Sequence, residues 1–241
     1  MFWISKKTVS FSDLWNNNFI DIHNHLLPGI DDGSKSIEKT NKMIEAMQNM
    51  GIKSAIATPH TFPGLWNNDV HSISNAFSSV ANPFIQNYSS EYFADSYLLE
   101  LANTNQLLTL PDNHLLVEFS MLSAPVDGIM DVFFDLKLKE INLILAHPER
   151  YLYWEKNMAF FENLKSFDLS FQLNVLSLLG YYGEKCKKLS EFLLENNFYD
   201  FLGTDFHSLH QIDFVNKASF SKKFEKKIEI LVDSNLIFQS V

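Results

Sequence analysis

Residues 19–25 read FIDIHNH, and this segment with the chain that follows it decides the fold. The apolar run predicts a β-strand, and the glycines and aspartates of residues 28–34 (PGIDDGS) predict a loop after it. A helix should extend from Ser36, its predicted N-cap, to Gly51, and residues 52–58 (IKSAIAT) indicate a second, buried strand. A strand, a helix and another buried strand are typical of a parallel α/β sheet.

The same alternation continues along the chain. Residues 115–119, 141–146, 171–175 and 201–203 predict further strands, and a weaker apolar stretch precedes Glu91. About seven strands without a GxGxxG motif favour an α/β barrel of the triosephosphate isomerase type over a doubly wound sheet. Two more helices are predicted, one over residues 183–196 and one opened by Pro125, with Val126, Ile129, Met130 and Phe133 on one face.

Length and composition limit the class of protein. The 241 residues are 46% hydrophobic and 20% charged, as in a globular protein, so we expect a single domain over residues 1–241 with residues 1–18 as an amino-terminal extension. The net charge of −10 disfavours nucleic acid as a partner. The sequence contains no apolar run of the ~20 residues that a membrane-spanning helix needs, no secretory signal and one cysteine, so we expect a cytoplasmic protein without membrane insertion.

Potential metal ligands follow nearly every predicted strand. In a βα barrel the carboxyl ends of the strands form the functional face. His23 and His25 occupy alternate positions of the first strand, so both imidazoles should point into the barrel mouth. The candidates are five histidines and four carboxylates: His23, His25, Asp32, His60, Glu91, Glu118, His147, Asp205 and His207.

This set is larger than one metal ion needs and suits two or three ions that share bridging carboxylates. Imidazole and carboxylate ligands without thiolate fit Mn²⁺, Fe²⁺ or Zn²⁺. Adjacent cations lower the pKa of a shared water and hold the attacking and leaving oxygens of a displacement at phosphorus. The ligand set therefore predicts hydrolytic chemistry.

Arg150 is the single arginine among 19 basic residues. A guanidinium grips two oxygens of a phosphate or carboxylate at once, which lysine cannot do. Arg150 therefore either binds an anionic substrate or forms a structural ion pair with a neighbouring acid.

Six segments resemble, in order, the motifs of the polymerase and histidinol phosphatase (PHP) superfamily, and within it those of the bacterial tyrosine-protein phosphatases of capsule and exopolysaccharide operons. The resemblance covers about residues 19–210 and implies a distorted (β/α)7 barrel with a trinuclear, usually manganese-dependent centre. Fe and Zn are the alternative metals. The segments are DIHNHLLPGIDDGS, ATPH, SSEY, LVEFS, LAHPERY and GTDFH.

The resemblance also implies a role for each candidate residue. Arg150 matches the phosphate-binding arginine of the family, and a different register near Glu91 would put Asp95 in its place. The implied ligands are His23, His25, Glu91 and Asp205 for one ion, Asp32, His60 and His207 for a second, and Glu118 and His147 with bridging Glu91 for a third.

The activity that this resemblance implies is metal-dependent hydrolysis of phosphotyrosine in proteins. A metal-activated hydroxide would attack phosphorus while the ions and Arg150 hold the non-bridging oxygens. The implied partner is the phosphorylated, tyrosine-rich tail of a bacterial tyrosine kinase of polysaccharide export. The alternatives are a phosphatase of a small phosphomonoester such as histidinol phosphate, a non-catalytic regulatory barrel, and an exonuclease of the same superfamily, which the acidic charge disfavours.

For the other reactive and aromatic residues, packing is the alternative to a functional role. Cys186 has Phe192, not arginine, six positions later and shares a helical face with Leu189, so we expect a core cysteine and not a nucleophile. The histidines outside the motifs, His71, His114 and His210, are expected at the surface or in packing contacts. Five aromatic residues either line a substrate groove or pack in the core: Phe62, Trp66, Tyr151, Tyr153 and Trp154.

Overall fold

The computed structural model describes residues 7–15, 17–125 and 127–239. The strands are β1 (Thr8–Val9), β2 (Phe19–Asp21), β3 (Ile52–Ala57), β4 (His60–Thr61), β5 (Ile85–Tyr88), β6 (Glu91–Phe93), β7 (His114–Glu118), β8 (Asn142–Ala146), β9 (Ser170–Asn174), β10 (Phe201–Gly203) and β11 (Phe220–Ser221). The α-helices are α1 (Phe11–Trp15), α2 (Ile37–Asn49), α3 (Val70–Val80), α4 (Tyr97–Asn103), α5 (Ile129–Lys137), α6 (Met158–Ser166), α7 (Val175–Leu178), α8 (Glu184–Glu195), α9 (Leu209–Lys217) and α10 (Glu225–Ser234).

Parallel strands form a sheet that closes on itself. One part has the order β10-β9-β8-β7-β6-β4 and the other the order β2-β3-β5, and every pair in both is parallel. β4 follows β3 after two residues, and β6 follows β5 after two residues. Each of these two pairs therefore occupies a single strand position of the barrel. Asn24 and Phe206 form a parallel bridge, and the amide of His25 donates to the carbonyl of Phe206 at 3.0 Å, which joins the first strand to the last. The predicted α/β barrel is confirmed.

Most strands of the barrel are buried on both faces, as their apolar sequences predict. β5 is buried less completely, with Asn87 exposed. The helices pack on the outer face through a large core that includes Phe133, Phe161 and Leu193. A second, smaller cluster fills the inside of the barrel and comprises Ile22, Ile56, Leu110, Leu116, Ile144, Ala146, Phe201 and Phe238.

The segment after α10 closes the barrel at the end opposite the carboxyl ends of the strands. The Asn235 side chain donates to the carbonyl oxygens of Ile20 and Leu202 and accepts from the Leu202 amide, so β2 and β10 are linked through one amide group. Phe238 is fully buried against Phe201. Residues 235–238 therefore contribute to the barrel core although they follow the last strand.

Replacing Phe238 with alanine should lower the free energy of unfolding by about 3–5 kcal/mol, because it leaves a cavity inside the barrel. Urea denaturation measures this loss. Ile237→Ala is the matched control, since the neighbouring Ile237 is half exposed and contributes little to the core. Equal losses for both variants would contradict the proposed packing of this segment.

The helix predicted to begin at Pro125 begins four residues later, at Ile129. Gly128 adopts a left-handed conformation with φ of 92°, which interrupts the helical backbone between these two residues. Val126, which was expected on the buried face, lies outside the described residues, and Met130 is only partly buried. The buried residues of α5 are Ile129, Val132, Phe133 and Leu136.

The predictions for α2 are confirmed. The Ser36 hydroxyl accepts from the amide of Lys39 at 3.3 Å and caps the start of the helix. Gly51, with φ of 86°, follows the last residues of the helix and turns the chain into β3.

The described part of the amino-terminal segment packs on the barrel. β1 pairs in antiparallel fashion with β11, and α1 contacts α10, α9 and β3. Phe11 and Trp15 are fully buried, and their rings stack on each other. No helix within the described ranges has the length and hydropathy required to cross a bilayer.

Candidate metal centre and active site

The nine predicted ligands lie together at the carboxyl ends of the barrel strands. Neighbouring members are joined by contacts of 3.0 to 3.6 Å between a nitrogen and a carboxylate oxygen. The strands and the loops directly after them supply the ligands: His23, His25 and Asp32 after β2, His60 in β4, Glu91 in β6, Glu118 in β7, His147 after β8, and Asp205 and His207 after β10.

Glu91 and Asp205 form the centre of the first group of ligands. The Nε2 atom of His23 lies 3.1 Å from Glu91 Oε2 and 3.3 Å from Asp205 Oδ1. The Nε2 atom of His25 lies 3.5 Å and 3.3 Å from the same two oxygens. All four side chains are fully buried or nearly so, and their ligand atoms lie close enough to hold one ion. Both imidazoles point to the same side, as their alternate positions in the sequence predict.

A second group surrounds Asp32 near the opening of the site. Its Oδ1 atom lies 3.3 Å from His207 Nε2 and 3.6 Å from His60 Nε2, and His25 is within reach of the same ion. Asp32 is 51% exposed, so this group contacts solvent directly.

A third group joins Glu91 to Glu118. His60 Nδ1 lies 3.0 Å from Glu118 Oε1 and 3.1 Å from Glu91 Oε2, so the ring of His60 contacts two groups of ligands. His147 Nε2 lies 3.0 Å from Glu91 Oε1 and 3.9 Å from Glu118 Oε2. Asp95, the alternative to Glu91 in the sequence, lies outside all three groups and instead accepts from the amide of Tyr97.

Several buried ligand atoms make no hydrogen bond within the described residues. They are Nε2 of His23 and of His25, Nδ1 of His60, and Oε2 of Glu91. These atoms converge from β4, β6 and the segment directly after β2, and an unsatisfied buried polar atom costs about 1–3 kcal/mol. Divalent ions satisfy such atoms directly, and nitrogen and carboxylate oxygen ligands fit Mn²⁺, Fe²⁺ or Zn²⁺. The residues at this site therefore fit a divalent metal centre.

A surrounding layer of residues orients the imidazoles. His23 Nδ1 lies 2.7 Å from Gln172 Oε1, and His25 Nδ1 lies 2.8 Å from Asp31 Oδ2. Asp31 in turn accepts from the amides of Gly33 and His60. Such partners fix the tautomer and the direction of a metal-binding histidine. Neither Asp31 nor Gln172 was predicted from the sequence as part of the site.

Gly203 leaves the room that Gln172 and His23 need. A Cβ atom at position 203 would meet Gln172 Nε2 at 2.6 Å and the Cβ atom of His23 at 2.7 Å. A side chain there would displace the first histidine of the site. This contact explains the glycine directly before Thr204 and Asp205.

Charge compensation sets the protonation of the cluster. Burial alone would lower the pKa of His23 and His60, but the neighbouring carboxylates raise it to about 10 for His23 and about 9 for His60. Burial likewise opposes ionisation of Glu91 and Asp205, and the histidines around them outweigh it and hold their pKa well below the ordinary values. Glu91 and Asp205 are therefore ionised, and His23 and His60 carry protons that a divalent ion would replace.

Binding of Mn²⁺ should release protons at pH 7 and should become tighter from about pH 6 to about pH 9, because His23 and His60 are protonated below their raised pKa values. Calorimetric titration at pH 7 in two buffers of different ionisation enthalpy counts the released protons. Identical observed enthalpies in the two buffers would contradict this prediction.

Arg150 lies against the cluster. Its guanidinium NH1 donates to Asp205 Oδ2 at 2.9 Å, and the Asn174 amide donates to the same oxygen at 2.7 Å. The ring of Tyr182 lies 4.2 Å from the guanidinium carbon, within the range of a cation–π contact. Burial opposes the charge of Arg150, but Asp205 outweighs it and raises the pKa. Arg150 therefore stays charged beside the ligands, in an ion pair with one of them.

An open cavity of about 570 Å³ leads to the cluster and to Arg150. Its polar side includes Asp32, His60, Glu118, His147, Arg150, Asp205 and His207, and its apolar side includes Phe62, Leu65, Trp66, Met121 and Leu122. A binding site with anion-binding and apolar sides suits a ligand that carries both kinds of group.

The five aromatic candidates divide between the two expected roles. Phe62 and Trp66 line the cavity, and the Trp66 ring stacks on His60 at 4.5 Å. Tyr151 and Trp154 are buried in the core. Tyr153 donates its hydroxyl to the carbonyl of Ser120 and does not line the cavity.

The residues expected outside the site lie outside it. Cys186 is buried in α8, and burial raises the pKa of its thiol to about 12, which suppresses the nucleophilic thiolate. His114 packs on Phe201 and Phe238, and His71 and His210 are exposed.

A family model described as "Capsular polysaccharide synthesis, CpsB/CapC" matches residues 19–228. The chain belongs to the CpsB/CapC family. This match covers the barrel strands and all nine candidate ligands, and it confirms the family that the sequence motifs resemble.

Two relatives and one solved structure are also similar to this chain. The tyrosine-protein phosphatase YwqE of Bacillus subtilis is 27% identical over 227 residues, which cover 90% of this chain and 89% of the relative. The tyrosine-protein phosphatase CpsB of Streptococcus pneumoniae is 27% identical over 203 residues, which cover 79% and 83%. A crystal structure from work on these two proteins, described there as metal-dependent tyrosine phosphatases, superposes with a TM-score of 0.77 at 25% identity and covers 92% of this chain and 96% of that chain.

Proposed function

We propose that this chain is a metal-dependent protein-tyrosine phosphatase that uses three divalent ions, with Mn²⁺ as the first candidate and Fe²⁺ or Zn²⁺ as alternatives. The CpsB/CapC relatives named above carry this activity. The converging buried ligand atoms independently support the metal centre in this proposal.

Three groups of residues would hold the ions in this proposal. When bound, the ions would activate a water for attack on phosphorus and offset the charge of the phosphoryl oxygens. Glu91, at the centre of the cluster, would be shared. The family resemblance implies His23, His25, Glu91 and Asp205 for the first group, Asp32, His60 and His207 for the second, and Glu91, Glu118 and His147 for the third, and the contacts of His147 with Glu91 at 3.0 Å and with Glu118 at 3.9 Å support the last assignment.

The position of Arg150 carries the proposal. Its guanidinium lines the same cavity as the ligands and is held by Asp205 and by the ring of Tyr182. A fork of N–H donors at this place would bind two non-bridging phosphoryl oxygens and stabilise the charge that develops during displacement. The contact with Asp205 also makes Arg150 an ion-pair partner. Both roles predicted for Arg150 from the sequence, anion binding and a structural ion pair, are therefore compatible with its position.

The apolar side of the cavity would accept the aromatic ring of the substrate. Phe62, Trp66 and Met121 lie on the same cavity as Arg150, where a phenyl ring attached to the phosphate would contact them. The shorter, aliphatic side chain of phosphoserine offers much less apolar surface to bury. This difference would favour phosphotyrosine.

The physiological substrate in this proposal is the tyrosine-rich tail of a bacterial kinase of polysaccharide export, as the family resemblance implies. The match to a capsular polysaccharide synthesis family supports this assignment. A cytoplasmic location and a single domain over residues 1–241 are part of the same proposal.

Turnover of a substrate panel tests the proposal. Protein stripped with a chelator and supplied with Mn²⁺ should hydrolyse a phosphotyrosine peptide faster than the matching phosphoserine peptide and faster than histidinol phosphate. Preference for histidinol phosphate would keep the metal centre and reject the protein substrate. Absence of turnover with metals bound would favour a regulatory barrel.

A further inference from the structure

A second groove adjoins the active-site cavity and differs from it in charge. Its volume is about 380 Å³, and it shares Asp32 and His207 with the active-site cavity. The other residues that line it are Gly33, Ser34, Lys35, Lys39, Met43, Ser208, Leu209 and His210. We call this the lysine groove.

Two lysines supply the charge of the lysine groove. Neither Lys35 nor Lys39 forms a salt bridge with any residue in the described ranges, and both are exposed. The Lys35 amine donates to the backbone carbonyl of Asp31, which places it at the loop beside the cluster. By contrast, Lys42, which lies on α2 like Lys39, pairs with Glu38 at 2.6 Å.

Carboxylates in the groove do not neutralise these lysines. Asp32 is the one acid among the lining residues, and its Oδ1 atom lies 3.3 Å from His207 Nε2, on the side of the cluster. The chain has a net charge of −10, but these two lysines give the groove beside the active site a local positive charge. Its charge is complementary to an anionic group on the substrate.

We infer that the lysine groove binds an acidic side chain, aspartate or glutamate, that lies within two residues of the phosphotyrosine in the substrate. This inference rests on the proposed function and assigns a sequence preference to it. Asp32 and His207 line both the groove and the cavity that would hold the phosphate, so the two sites are adjacent. A peptide held there by its phosphotyrosine would carry its neighbouring side chains past Lys35 and Lys39.

A carboxylate is the anion that we assign to the lysine groove. The single arginine of the chain lies in the active-site cavity, so the groove offers separate amines and no bidentate fork. Each amine acts as a point charge, and one amine balances the single charge of a carboxylate. Exposed pairs of this kind contribute modestly and are screened by salt.

Three phosphotyrosine peptides test the inference, identical except that the two residues on each side are glutamate, glutamine or lysine. The unchanged protein should show kcat/KM about two- to fivefold higher for the glutamate peptide than for the glutamine peptide, mainly through KM, with the lysine peptide poorest. The ratio should shrink in about 0.5 M salt. Lys39→Gln should reduce it, and Lys35→Gln with Lys39→Gln should bring it close to one.

Lys42→Gln is the matched control, because this lysine lies on the same helix but pairs with Glu38 outside the groove. It should keep the full preference. Equal rates for the glutamate and glutamine peptides, or a preference that survives the double substitution, would overturn the inference and leave the proposed function intact. A doubly phosphorylated peptide that outperforms the glutamate peptide through the same lysines would overturn the assignment to a carboxylate. No turnover of any peptide would reject the proposed function itself.

Discussion

Replacing Glu91 with glutamine should remove metal from the protein and lower kcat for a phosphotyrosine peptide by at least about a hundredfold. Glu91 contacts four of the five clustered histidines, and its carboxylate is shared by two groups of candidate ligands. A neutral amide of the same shape keeps the packing but removes the charge that the ions and histidines require. Elemental analysis and steady-state kinetics measure the two effects.

Asp95→Asn is the control for this substitution. Asp95 lies four residues after Glu91 and outside all three groups of ligands, and its carboxylate accepts from the amide of Tyr97. This variant should keep the metal content and the activity of the unchanged protein. A Glu91→Gln protein with full metal content, or an Asp95→Asn protein without metal, would show that the ligands are assigned in the wrong register.

Replacing Arg150 with alanine should lower kcat by about 100- to 1,000-fold, the loss expected for a donor that binds the transition state. Metal content should stay largely intact, because Arg150 contacts the outer oxygen of Asp205, and Asn174 donates to the same oxygen. Steady-state kinetics measures the loss of activity, and elemental analysis measures the metal content.

Arg150→Lys separates charge from geometry. Lysine keeps the positive charge beside Asp205 but loses the fork of donors, so we expect most of the activity to be lost in this variant as well. Full activity in Arg150→Ala would reject the role in phosphate binding. Loss of metal from Arg150→Ala would instead make Arg150 a structural partner of the ligands.

The sequence predicted the barrel because its strands are apolar throughout. Strand β10 was predicted with its observed bounds, Phe201–Gly203, and the bounds of β3, β7, β8 and β9 moved by one residue. The first strand was predicted over residues 19–25 but ends at Asp21, because the chain leaves the sheet where the two histidines begin the site. The ligand residues could be found because they occur at strand ends, where parallel strands bring distant parts of the chain to one face. Gly128 is the reason that the start of α5 was wrong, since a left-handed residue leaves no pattern of hydrophobicity.

Partners across the barrel could not be predicted in the same way. Gln172 lies inside β9, opposite Phe201 in the strand register, and reaches His23 only because the barrel closes. Tyr182 lies in a loop far from Arg150 in the sequence, and its ring contacts the Arg150 guanidinium only in the folded protein. Asp31 had a signal, since it precedes Asp32 in the same loop, but two adjacent aspartates do not indicate which one faces solvent. Trp66 and Trp154 differ in how deeply their side chains are buried, but the sequence patterns around them do not indicate this difference.

The most direct test of the metal-dependent mechanism is the rate of phosphotyrosine peptide hydrolysis as Mn²⁺ is added stepwise to chelator-stripped protein. We expect no activity without metal and a rise to a plateau at about three equivalents of Mn²⁺. Thiol alkylation should have no effect on the rate, since Cys186 is buried and protonated. Hydrolysis by the stripped protein, or its loss on alkylation, would contradict a metal centre formed by the nine clustered residues.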